Sequence, residues 1–333
     1  MGGYLPGLTD AQRAVVLDDA AALGAGWIRT DFSWSQIQPM GPSTYSWAKH
    51  DAVVQQATAR GLSVLPILDF TPAWARPAGC TIASCGPADP SQFASFAAAA
   101  AARYGPLGVH TWEIWNEPNI TPFWAPYPDP AAYGALLKVA TAAIRSVDPG
   151  AVIVSAGISP AATVPGGNIS QVDFVTALAR SGALAGVDAV GYHPYSYPVL
   201  PSHPGPWNAW QIMGATTPSI EGILVANGLA AKKIWITEYG APTNGPGVGA
   251  TATDLQLSNN PDHVDENLQA QMATQSVQAA AATPYVGALF WYSDQDLGTS
   301  TATSENFFGL RRFDGSHKPA WATFQAAVST ARL

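Results

Sequence analysis

Short, nearly uninterrupted apolar runs rich in β-branched and aromatic residues alternate with alanine-rich runs of helical length along this 333-residue chain. That alternation is the pattern of parallel β/α units, whose strands are covered on both faces and so lack a polar side. Strands are predicted at 27–32, 63–69, 110–116, 152–156, 189–193, 233–238 and 287–292. Helices are predicted at 9–23, 49–60, 90–104, 129–146, 172–181, 218–227, 267–283 and 320–331, several closed by stop signals such as Gly61, Gly105 and Asn227-Gly228. The length suits one (β/α)8 TIM barrel, read as a single domain over residues 1–333. The prediction has one strand too few, since a barrel begins with a strand. The first strand is expected either in residues 1–8 or upstream, with upstream preferred because Met1-Gly2-Gly3-Tyr4-Leu5-Pro6 reads poorly as a buried strand.

Hydrophobic residues make up 47% of the chain and charged residues 11%, a balance that supports a large core and opposes disorder. The net charge of −8 argues against a nucleic-acid partner and leaves a neutral polymer open. No run is long and apolar enough to span a membrane. Cys80 and Cys85 share one loop with no histidine beside them, so a short disulfide fits better than a metal site. Residues 1–10 lack the basic start and apolar run of a secretory signal. The disulfide nevertheless favours an exported or cell-surface protein whose signal segment has been trimmed.

Four long loops, 71–89, 196–217, 241–262 and 293–317, follow predicted strands. Barrel enzymes place their sites at that face, and loops of this length argue for a shaped cleft. Two predicted strands deliver a glutamate to the same end: Trp112-Glu113-Ile114-Trp115-Asn116-Glu117-Pro118-Asn119, and Ile234-Trp235-Ile236-Thr237-Glu238-Tyr239-Gly240. A glycosidic bond breaks when one carboxylic acid protonates the leaving oxygen and a second carboxylate meets the anomeric carbon. Glu117 and Glu238 are therefore the candidate catalytic pair. Glu113 is expected deeper in the barrel, paired with a cation or hydroxyls.

Together these two segments resemble the acid/base and nucleophile motifs of the clan of retaining glycosidases that carry glutamates on barrel strands four and seven. The wording is most similar to glycoside hydrolase family 39 and related bacterial exopolysaccharide endo-glycosidases, from Arg29 to Trp321. The resemblance implies Glu117 as general acid/base and Glu238 as nucleophile. It implies that Asn116 binds the sugar 2-hydroxyl, that Arg29 keeps the nucleophile ionised, and that His193 and Tyr195 line the site. Trp291 would form the floor of the cleaved sugar's subsite. Trp34, Trp74 and Trp124, which follow three of the predicted strands, are candidate stacking platforms for further sugars. Trp47, Trp210 and Trp235 are assigned to structure, Trp235 on the helix-facing side of its strand.

The chain is thus expected to be a retaining glycoside hydrolase without a cofactor or metal, endo-acting on a bacterial surface, cell-wall or biofilm polysaccharide. A family 39 xylosidase role is disfavoured because no β-sandwich follows the last helix. Two alternatives stay open: an exo-acting, xylosidase-like β-glycosidase on short oligosaccharides, and a carbohydrate-binding protein without turnover on the same scaffold. The acidic loop segments 294–296 and 262–266 read as solvated rather than calcium-binding. The sequence specifies neither the sugar nor the oligomeric state.

Overall fold

The structure is a computed structural model and describes residues 1–331. Seven parallel strands form one curved sheet in sequential order: β1 Trp27–Ser33, β2 Ser63–Asp69, β3 Thr111–Asn116, β4 Val152–Gly157, β5 Ala189–Tyr192, β6 Lys233–Tyr239 and β7 Val286–Trp291. The eight predicted helices are present as α1 Asp10–Ala22, α2 Ala48–Thr58, α3 Pro90–Tyr104, α4 Pro130–Val147, α5 Gln171–Arg180, α6 Ile220–Ala226, α7 Glu266–Ala282 and α8 Pro319–Thr330. Their starts follow from local chemistry. Thr9 forms a capping box with Gln12, and Asp89, Asp129, Ser170 and Asp265 each accept a backbone N–H of the first turn. Proline stands at the first helical position of α3 and α4, where its missing N–H has no partner to lose.

Residues 1–3 occupy the position between β7 and β1. Gly2 bridges in parallel to Arg29 on one side and to Tyr292 on the other. The Gly2 N–H donates to Trp291 O (2.8 Å), Gly3 N–H to Arg29 O (3.2 Å), and Arg29 N–H to Met1 O (2.8 Å). The preferred upstream origin of this segment is thereby corrected. Two glycines weaken the sequence signal for a strand, yet β1 and β7 offer unpaired edges on both sides, and three residues suffice to bridge them. The fold is a (β/α)8 TIM barrel.

Two layers of core hold it. Between strands and helices lies the main apolar core, which includes Ile28, Phe32, Trp34, Trp112, Trp115, Tyr239 and Trp291. Inside the barrel, Leu65, Val154, Ala189 and Phe290 pack together and are capped at the N-terminal end by Trp27 and Trp235, whose rings meet edge-on at 6.0 Å. Trp235 therefore faces the barrel interior and not the helix layer. The parity argument from Glu238 fails because a register shift falls between Ile236 and Tyr239. A two-residue alternation cannot be carried across such a bulge.

Candidate active site

Irregular backbone at two strand ends turns both glutamates into the barrel mouth. On β3, Glu113 points inward, and strict alternation would send Trp115 inward too. Trp115 instead adopts φ +73° and packs among Phe93 and Trp124 in the outer core. Asn116 and Glu117 (φ +43°) then both line the cleft. On β6 the bulge brings Glu238 inward and sends Tyr239 outward, against Trp210 and Trp291.

Arg29, buried on β1, organises the floor. Its Nε and Nη2 donate to the two carboxylate oxygens of fully buried Glu113, its Nη1 donates to Glu238 Oε1, and Nη2 also donates to Asn116 Oδ1 (2.8 Å). Glu113 further accepts the Gly157 N–H at 3.0 Å, so this carboxylate is the brace that holds the guanidinium. The Tyr195 hydroxyl donates to the second oxygen of Glu238 at 2.7 Å. Burial alone would raise the Glu238 carboxyl. His193, Arg29 and the Tyr195 hydroxyl together outweigh it and hold the group below the ordinary glutamate value. Tyr195 itself is pushed well above the usual phenol range by burial and by the Glu238 charge, so it stays a donor.

His193, fully buried beyond the end of β5, places Nδ1 2.8 Å from Glu117 Oε1 and Nε2 3.0 Å from Thr237 Oγ1. Its Nδ1 lies 3.7 Å from Glu238 Oε2. Glu117, His193 and Glu238 each offer an atom within 4.8 Å of the others. One histidine and two carboxylates could ligate a cation. Here the His193 nitrogen and the Glu117 oxygen face one another at hydrogen-bond distance, an arrangement that shares a proton between them.

Six of the residues expected from sequence are therefore brought together: Arg29, Asn116, Glu117, His193, Tyr195 and Glu238. The tryptophans are not. Trp34 is fully buried, stacked on Phe96 (5.8 Å), and its indole N–H donates to Gln38 Oε1 (2.6 Å). Trp74 meets Trp34 edge-on and donates to the Gln38 carbonyl. Trp124 is buried between Trp115 and Tyr133. Trp291 faces the helices, against Tyr239 and Phe324. Trp34, Trp124 and Trp291 are thereby corrected to core packing, and half-buried Trp74 packs against that core and does not line the cleft. Trp291 fails because, in a strand apolar on both faces, sequence does not say which residue points inward.

Apart from Tyr195, the aromatic lining comes from residues that the sequence reading passed over. The cleft, about 810 Å3, runs across the whole barrel mouth. Phe70 and Phe123 line it beyond β2 and β3, their rings 6.4 Å apart. On the opposite flank Tyr195, Tyr197, Tyr292 and Phe308 form a cluster of edge-on contacts at 5.4–6.3 Å. Phe308 and Glu305 are held over the mouth by a buried ionic tie in the long loop after β7. There Lys318 Nζ donates to Asp296 (2.7 Å) and to the Phe307 carbonyl (3.0 Å). The one sequence signal for Tyr292 was its place as the last residue of the predicted strand 287–292.

The profile of the cellulase family (glycosyl hydrolase family 5) matches residues 8–272. The chain belongs to this family. Its glutamates, arginine and histidine thus sit in a family 5 barrel, while solved structures of family 39 share the fold as well. A family 39 glycoside hydrolase from Bacteroides cellulosilyticus WH2 superposes with TM-score 0.74 at 24% identity, over 99% of this chain and 62% of that one. A monomeric β-xylosidase from Caulobacter crescentus CB15 gives 0.71 at 20% identity, over 100% and 68%. A GH5_18 enzyme from Streptomyces cattleya, solved with GlcNAc, gives 0.67 at 19% identity, over 97% and 75%. The chain thus spans less than two thirds of the length of the Bacteroides protein. No curated protein sequence matches it.

Proposed function

We propose that this family 5 member is a retaining β-glycosidase that cuts within a neutral glycan chain outside the cell. The observation that carries the reading is the approach of the two carboxylates: an oxygen of Glu117 and one of Glu238 lie within 4.8 Å. Retaining enzymes hold their carboxyl groups about 5–5.5 Å apart, and inverting enzymes about 6.5–9.5 Å to admit a water. In the first step Glu238 attacks the anomeric carbon while Glu117 gives its proton to the leaving oxygen. In the second, Glu117 takes a proton from water, which displaces Glu238 from the sugar. The contacts support these roles. Glu238, held by Arg29 and Tyr195, stays ionised as a nucleophile must. Glu117 touches only the exchangeable His193 nitrogen, as a group that alternates between acid and base must.

Aromatic groups on both flanks of the pair support cutting within a chain, because sugars on either side of the scissile bond then find a stacking surface. The cleft lining carries Asp31, Glu117, Glu238 and Glu305 against one cation, Arg29, which is already paired. Such a field repels uronic acids and sulfated sugars and favours uncharged ones. Extracellular action is supported by the Cys80–Cys85 disulfide.

The test is a panel of 4-nitrophenyl β-glycosides and uncharged polysaccharides, with NMR of the first-formed product. Initial release of the β-anomer and a rapid fall in polymer viscosity are expected. Initial release of the α-anomer from a β-linked substrate would remove the nucleophile role from Glu238. Release of single sugars without loss of viscosity would replace internal cutting by action at chain ends.

A further inference from the structure

Asp31 and Asp69 are not used by the mechanism above, and their arrangement is unusual. They stand on adjacent strands, β1 and β2, at the end that opens into the cleft. Asp31 is half-buried and lines the wall beside Arg29. Asp69 is completely buried behind it. Among the described residues, neither oxygen of Asp69 has a hydrogen-bonding partner, and the charged group that bears on it most is the carboxyl of Asp31. The hydrogen bonds of Arg29 go to Glu113, Glu238 and Asn116, and none reaches Asp31.

Two carboxyls in contact cannot both be ionised in a buried site, so the pair holds one proton. The proton belongs on the member that water cannot reach. Burial and the neighbouring Asp31 charge push the Asp69 carboxyl well up, with Glu113 adding to the effect against Arg29. Asp69 is then a donor that spends its O–H on one oxygen of Asp31. Asp31 is left as a carboxylate fixed in orientation, with acceptor capacity facing the cleft and no protein donor to fill it. Sugar hydroxyls are the donors that enter this cleft.

We propose that Asp31, braced by a protonated Asp69, accepts a hydrogen bond from a hydroxyl of the bound sugar and thereby sets which glycosides the cleft accepts. Asp31 is a specificity-determining residue and Asp69 a positioning residue that acts through it. A buried charged acceptor left without its donor is costly, so a sugar lacking or masking that hydroxyl is rejected. This inference rests on the glycosidase reading.

The experiment uses the 4-nitrophenyl β-glycoside that the wild-type chain cleaves fastest, together with its monodeoxy derivatives. Wild type is expected to lose about 10- to 100-fold in kcat/KM on one of the derivatives. Asp31→Ala should show the same loss on the parent glycoside and no further loss on that derivative. Asp69→Asn keeps a donor toward Asp31 and should remain within about threefold of wild type, whereas Asp69→Leu should follow Asp31→Ala. Infrared spectra at neutral pH should contain a protonated-carboxyl C=O band that disappears in Asp69→Asn. The inference is overturned if the Asp31→Ala and deoxy losses multiply, if Asp31→Ala is inert, or if Asp69→Asn is as damaging as Asp69→Leu. Absence of turnover of every glycoside by wild type overturns the glycosidase reading and the sugar-reading role with it. The infrared band tests the proton on Asp69 in either case.

Discussion

Gly157 is bare where the ring of His193 passes: a Cβ at Gly157 would lie 1.9 Å from Nε2. The end of β4 therefore sets where the imidazole sits, and the imidazole sits on Glu117. Gly157→Ala must push His193 away from the acid/base while leaving the outer core untouched. The variant should fold, with kcat/KM lowered about 100-fold, the usual scale for a misplacement of about 1 Å in catalytic geometry. Circular dichroism and steady-state kinetics on one aryl glycoside check this. Wild-type activity would show that His193 has no part in positioning Glu117.

The two glutamates should fail differently. Glu238→Ala is expected to keep the fold and lose turnover on every substrate, since the carboxylate that forms the glycosyl-enzyme is then gone. Glu117→Gln should retain formation of the glycosyl-enzyme from aryl glycosides with good leaving groups, because such groups depart without a proton, while natural linkages stay uncut. Burst kinetics of 4-nitrophenol release separate the steps. Equal losses on activated and unactivated substrates would take the acid role from Glu117.

Tyr195 donates to Glu238 in its ionised form and so helps to keep this carboxyl below its ordinary value. Tyr195→Phe removes that donor. A carboxylate that loses a donor binds its proton more tightly, so the acidic limb of kcat/KM, which reports the free enzyme, should move to higher pH by about one unit. A profile of unchanged shape, lowered uniformly, would assign Tyr195 to substrate contact alone.

His50 offers a stability test remote from the cleft. It is 2% exposed, meets Phe32 edge-on at 4.8 Å, and neither ring nitrogen has a partner among the described residues. Burial lowers it from 6.5 to about 4. Between those values the unfolded chain holds a proton that the folded chain refuses, so stability falls as pH drops from 6.5 toward 4 and levels off below. At pH 5 the loss from this residue is about 2 kcal/mol. His50→Leu should flatten that part of the curve, read from denaturant unfolding at pH 7.5 and pH 5. An unchanged slope would place the acid sensitivity of this pH range on groups other than His50.

What was legible in the sequence divides along a physical line. Seven strands, eight helices and the two strand-end glutamates follow from local pattern: apolar runs, caps and terminal turns. Arg29 and Asn116 came from the resemblance of their segments to the two-glutamate retaining glycosidases, not from local pattern. Trp235 and Trp291 were misplaced because a strand buried on both faces carries no inward–outward signal and because the irregularity after Ile236 breaks alternation, while Trp34, Trp74 and Trp124 lie beyond strand ends, where only tertiary packing decides burial. Asp31 was visible beside Arg29. Its link to Asp69 was not, since the two stand on different strands that only the fold sets side by side.

That correction has its own consequence. If Phe70 is a sugar platform, Phe70→Ala should raise KM for long oligosaccharides about tenfold, leave short aryl glycosides nearly unaffected, and cost little stability, since Phe70 is only half-buried. Trp124→Ala should do the reverse. It empties a packed space between Trp115 and Tyr133 and should cost about 3–5 kcal/mol, with KM unchanged in the protein that remains folded. Denaturant midpoints and KM values measured on both variants discriminate the roles. A KM effect in Trp124→Ala without destabilisation would return that tryptophan to the cleft, and the assignment of aromatic residues made from burial would fail with it.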